Sequence, residues 1–128
     1  MKFEHIALNR REPDKVSQWY VDNLRMQIVK APTGPGQAYF VADYAKQMMF
    51  ELYSSPEAAG LDYFNIDPRT FHLAFAVENV AAMRAQLLQA GATAEGEIAR
   101  NANGDEFAML RDPWGMPLQL TRRNRPLI

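Results

Sequence analysis

The chain contains no cysteine, which excludes a disulfide framework, a thiolate metal site and a cysteine nucleophile. Neither sign of charge is in excess, since 14 Lys and Arg face 15 Asp and Glu for a formal net charge of −1. The basic residues are scattered except for Arg122, Arg123 and Arg125, which read as a solvated tail, so a nucleic-acid footprint is not expected. No apolar run approaches membrane-spanning length, and the N-terminus shows neither the basic segment nor the apolar core of a signal peptide. These absences lead us to expect a soluble, cytoplasmic protein with no membrane or nucleic-acid partner. Histidine is scarce too: there are two, and their positions organise the reading.

What is present is an internal repeat. Phe3-Glu4-His5-Ile6-Ala7-Leu8 returns as Phe71-His72-Leu73-Ala74-Phe75, with His, aliphatic, Ala, apolar in the same order. A second pair follows at nearly the same offset, Glu51 in Phe50-Glu51-Leu52 and Gln119 in Leu118-Gln119-Leu120. The histidines are 67 positions apart (72 minus 5), and Glu51 and Gln119 are 68 apart (119 minus 51). With 128 residues, 48% of them apolar, the chain is long enough for one globular domain that buries roughly 70% of its unfolded surface.

Residues 2–9 alternate as a strand, with Phe3, His5 and Ala7 on one face and Glu4, Ile6 and Leu8 on the other. Pro13 opens a helix in which Val16, Tyr20 and Leu24, supported by Trp19, form an apolar stripe ending near residues 23–26. Residues 28–30, 38–42 and 48–53 read as strands, the first two around the turn signal Thr33-Gly34-Pro35-Gly36. Residues 54–70 look like an irregular connection, long enough to cover a site. The order then repeats. A strand over 71–77 precedes Asn79 as N-cap, and a helix follows with Val80, Met83, Leu87 and Ala90 inward, closed by Gly91. Strands over 94–100 and 106–111 flank the hairpin dipeptide Asn103-Gly104, and Asp112-Pro113-Trp114-Gly115 turns the chain into a last strand over 116–122.

The fold class expected is therefore α+β, a single domain of two βαβββ modules, about 1–54 and 71–124, joined by 55–70. Ile6, Leu73, Phe50, Leu52, Leu118 and Leu120 must face the helices, which puts His5, Glu51, His72 and Gln119 on the helix-free face of their strands. If the modules curl into a half-open mixed β-barrel with a helix outside each, that face becomes a pocket. Two imidazoles, a carboxylate and an amide oxygen suit Zn, Ni, Co, Fe(II) or Mn and leave coordination positions for water or substrate. A lone strand histidine is more often structural than a ligand, but two at matched repeat positions reverse that expectation. Aromatic and Met residues that could line such a cavity are Phe3, Tyr39, Met49 and Tyr53 in the first module and Phe107, Met109 and Trp114 in the second.

With these motifs the chain resembles the vicinal oxygen chelate superfamily of glyoxalases, bleomycin-resistance proteins and extradiol dioxygenases. The resemblance covers nearly the whole sequence. It is carried by Phe3 to Leu8, Trp19-Tyr20 with Leu24, Phe50-Glu51-Leu52, Phe71 to Phe75, and Asp112-Pro113-Trp114-Gly115-Met116-Pro117-Leu118-Gln119-Leu120. It implies a divalent ion held by His5, Glu51, His72 and Gln119, acting as Lewis acid toward a small substrate that chelates through neighbouring oxygens. It also implies a homodimer. The departure is Gln119, where the family usually has Glu, so Glu51 alone can serve as a catalytic base. The reading is a metal-dependent glyoxalase-like isomerase, lyase or epimerase. The alternatives are a ligand-sequestering protein of bleomycin-resistance type and an Fe(II) extradiol dioxygenase. Neither substrate, metal identity nor a role for glutathione can be read from the residues.

Overall fold

In a computed structural model that describes residues 1–127, the chain forms two compact units divided between Leu61 and Asp62. The first runs β1 (His5–Asn9), α1 (Pro13–Leu24), β2 (Gln27–Lys30), β3 (Tyr39–Ala42) and β4 (Met49–Tyr53). The second has a one-turn 3-10 helix at Tyr63–Asn65, then β5 (Leu73–Ala76), α2 (Val80–Gln89), β6 (Thr93–Arg100), β7 (Glu106–Arg111) and β8 (Pro117–Arg122). Each unit is thus βαβββ, and the α+β architecture of two similar modules is observed.

The sheets repeat each other in order and register. Strand order is β1-β4-β3-β2 in one and β5-β8-β7-β6 in the other, with the first pair parallel and the rest antiparallel. Ala7 lies opposite Glu51 as Ala74 lies opposite Gln119, and the next strand places Phe40 beside Glu51 and Met109 beside Gln119. The repeat seen in sequence is therefore a repeat of strand pairing.

Local chemistry explains the elements. Pro13 stands at the start of α1, where its missing N–H costs no hydrogen bond, and Val16 and Tyr20 are fully buried. The Tyr20 ring meets Phe50 edge-on at 6.0 Å, seating α1 on the sheet beside Leu8, Val41 and Leu52. In α2 the Asn79 side chain accepts from the Ala82 N–H at 2.9 Å, as an N-cap should, and Gly91 leaves the helix at φ +94°. Val80 and Leu87 are fully buried, and α2 packs on β6, β7 and β8, where Ala108, Leu110, Leu118 and Leu120 are buried too.

Three expectations need correction. The first strand begins at His5 rather than residue 2, because its parallel partner β4 begins at Met49 and pairs with His5, leaving residues 2–4 no ladder to join. Likewise β5 starts at Leu73 rather than 71, since the N–H groups of Thr70 and Phe71 are spent on the Asp67 carbonyl in a turn. The connection 54–70 is not wholly irregular either. Its 3-10 turn is anchored by Arg111, whose guanidinium donates to the carbonyls of Tyr63 at 2.7 Å, Ile66 at 2.9 Å and Gly115 at 3.1 Å. Gly115 is required at its place: it has φ +89°, and a Cβ there would stand 2.6 Å from the Phe64 ring.

Candidate functional site

In the first unit the helix-free face is set by pairing. His5 opens β1 and Glu51 lies two residues along β4 from Met49, the register partner of His5, so both side chains point away from Leu8, Phe50 and Leu52. His5 Nε2 stands 3.5 Å from Glu51 Oε2, with both side chains about 30% exposed (33% and 28%). Two ligands bound at about 2.1 Å with tetrahedral angles lie roughly 3.4 Å apart, so this pair fits the edge of one coordination sphere. The other ring nitrogen is occupied: His5 Nδ1 is 2.6 Å from Glu4 Oε2. Phe40, beside Glu51 in the next strand, meets the imidazole edge-on at 5.8 Å and restricts its rotation.

The second unit repeats the strand order but not the approach of the pair. Gln119 sits on β8 between Ala74 and Met109, facing away from Leu118 and Leu120. His72 immediately precedes β5, and its Nδ1 lies 2.6 Å from the Pro68 carbonyl, which can only accept. The proton on that ring therefore belongs to Nδ1, and Nε2 is left with its lone pair for a ligand. His5 follows the same logic, with a carboxylate in place of the carbonyl. Metal-binding histidines characteristically donate their second N–H to a carboxylate or a backbone carbonyl, and both histidines here have such a partner.

The turn that presents Pro68 is tied down electrostatically. The Arg69 guanidinium and backbone N–H both donate to Asp67, and the side-chain contact chiefly lowers the Asp67 carboxyl to about 2. A depressed carboxyl pKa contributes stability above its unfolded value near 3.8 that is lost as pH falls through about 2. The turn therefore keeps its charge pair throughout neutral and mildly acidic conditions.

Structure thus brings His5 and Glu51 together, whereas Gln119 lies on β8 and His72 just ahead of β5, held to the Pro68 carbonyl. Among the described residues, no three His, Asp or Glu side chains gather as a ready-made metal cluster. Of the cavity-lining candidates, Met49, Tyr53, Phe107 and Met109 share the helix-free faces by register, whereas Tyr39 pairs with Leu52 and belongs to the helix-covered face. Sequence reasoning missed Glu4, Pro68 and Arg111. Glu4 alone carried a signal, as a carboxylate directly beside a candidate ligand. Among the described residues no helix is long and apolar enough to cross a membrane.

Comparison with known proteins agrees with this architecture. Solved structures of similar fold include TnmS3, an antibiotic binding protein from Streptomyces sp. CB03234, at TM-score 0.72 and 17% identity over 97% of both chains. A glyoxalase/bleomycin resistance protein/dioxygenase family enzyme from Burkholderia phytofirmans PsJN aligns at TM-score 0.75 and 15% identity, covering 96% of this chain and 99% of its own. A glyoxalase family protein from Bacillus cereus aligns at TM-score 0.74 and 14% identity over 96% and 93%. Among curated proteins there is no significant match. The family model for these proteins matches residues 2–120, nearly the whole repeat, and the chain belongs to the Glyoxalase/Bleomycin resistance protein/Dioxygenase superfamily.

Proposed function

We propose that this protein is a divalent-metal-dependent enzyme of glyoxalase type, an isomerase, lyase or epimerase, acting on a small substrate with neighbouring oxygens. His5, Glu51, His72 and Gln119 would hold the ion, which when bound supplies Lewis-acid polarisation of a substrate oxygen. The observation that carries this reading is the His5–Glu51 approach of 3.5 Å with both histidines held through Nδ1. Glu51 is the one carboxylate of the set and the candidate base for a proton next to a polarised carbonyl. Gln119 donates or accepts hydrogen bonds but takes no proton, so the chemistry would use one base.

Calorimetric titration of chelator-stripped protein with Zn²⁺ tests the metal reading. One ion per chain is expected, lost when His5→Ala and His72→Ala are combined; a natural protein that takes up no ion sinks the proposal. Glu4→Ala should weaken uptake about tenfold, as loss of an outer hydrogen-bond partner does, and Glu4→Gln, which keeps an acceptor oxygen, should restore most of it. Family resemblance adds a homodimer, to be read by sedimentation of the same samples. A second reading, sequestration of a ligand without chemistry, draws on the antibiotic-binding neighbour from Streptomyces and would be favoured by absence of metal uptake.

A further inference from the structure

A cleft of about 270 Å³ opens in the first unit, lined by Lys2, Phe3, Glu4, Lys46, Gln47 and Met49. Met49, the register partner of His5, shares its face of the sheet. The apolar surface of the cleft comes from Met49 and from Phe3, which is 60% exposed. Lys2 and Lys46 both line it, and among the described residues neither has an ion-pair partner. The one carboxylate present, Glu4, directs Oε2 at His5 Nδ1.

Lys46 stands in a turn that glycine would also satisfy. Its backbone is left-handed, at φ +54°, a conformation that glycine or asparagine adopts at lower cost than lysine. The turn is closed around it: the Asp43 carbonyl accepts from the Lys46 N–H at 3.0 Å, and Asp43 Oδ1 accepts from the Gln47 N–H at 2.8 Å. Glycine at this position would relieve the backbone, so a loss of binding in such a variant would belong to the side chain and not to the turn.

We propose that this cleft is the subsite for the anionic group, a carboxylate or a phosphate, of a ligand with a flat apolar body. Phe3 and Met49 contact the body, and Lys2 and Lys46 the anion. As part of a substrate site the assignment rests on the metal-centre reading above; as a binding site it stands without it.

The test is a titration of chelator-stripped, ¹⁵N-labelled protein with benzoate and with phenyl phosphate, followed by amide shifts, with benzyl alcohol as the neutral match. Saturable shifts should cluster at residues 2–4 and 46–49, with benzyl alcohol binding about fivefold or more weaker, the scale expected from two exposed cation contacts. Lys46→Gly should weaken both anions by a similar factor while its melting temperature holds or rises, because glycine relieves the left-handed backbone. Adding Lys2→Ala should weaken them further. Shifts elsewhere, no saturation, equal binding of benzyl alcohol, or undiminished binding by the double variant would each overturn the proposal. A preference for one anion identifies the group. Because no metal is present in the titration, failure of Zn²⁺ uptake leaves its outcome unaffected.

Discussion

Replacing Arg111 by methionine should lower stability by about 3 kcal/mol, a fall of roughly 10 °C in melting temperature for a chain of this size. Arg111 ends β7 and is only 9% exposed, yet its guanidinium serves three backbone carbonyls, and its Nε donates to Glu95. Methionine keeps much of the aliphatic stem, so the loss isolates the polar part: three carbonyls deprived of charged donors where water enters poorly. Glu95→Gln should cost less than about 1 kcal/mol, because that side chain is 38% exposed and its ion pair is correspondingly screened. A melting temperature within about 2 °C of the natural protein for Arg111→Met would show that the network contributes little. The loss should also reach the candidate site. Arg111 anchors the turn that leads into Asp67 and Pro68, and the Pro68 carbonyl orients His72.

Glu51→Gln should abolish proton transfer, lowering it by at least about 10²-fold, while the fold is retained. The substitution preserves shape and an oxygen ligand, and it removes the only carboxylate of the proposed set. Hydroxyacetone, a small ketone with two neighbouring oxygens, is a suitable probe, since exchange of its α-protons in D₂O by the Zn²⁺-loaded protein is read directly by NMR. Gln119→Glu supplies the reciprocal experiment. An added anionic ligand should tighten Zn²⁺ about tenfold. Exchange at the natural rate in Glu51→Gln would remove Glu51 as the base. Zn²⁺ affinity indifferent to Gln119→Glu would remove position 119 from the ion.

Alternation and repetition made the architecture legible. A period of two around His5, Glu51, His72 and Gln119 dictates a common face, because a one-residue slip would turn Leu52 or Leu120 away from the helices. Register between strands repeats from one unit to the next, with Ala7 opposite Glu51 and Ala74 opposite Gln119. Helix ends were legible for a similar local reason: Pro13, Asn79 and Gly91 act on their own backbone within a few residues. The hairpin between β6 and β7 was located correctly through Asn103-Gly104. Its turn also depends on Asn101, whose side-chain oxygen accepts from the N–H groups of Asn103 and Asp105, each at 3.0 Å.

Contacts between distant residues were not legible. Nothing near Arg111 in the sequence indicates that it will reach Tyr63 and Ile66, 48 and 45 positions away, so the turn between the modules passed for featureless loop. The start of β5 depended on how that turn spends its backbone donors, and the start of β1 on where its partner strand begins. Residue order alone reveals the two modules and the faces of their strands and nominates the candidate ligands, since these follow from hydrophobic period, turn chemistry and internal repetition. Folding in three dimensions is needed to see which nitrogen each histidine presents, that Lys2 and Lys46 line one cleft, and that a buried arginine anchors the connection. Those depend on the directions and distances of side chains brought together by folding, which no local pattern records.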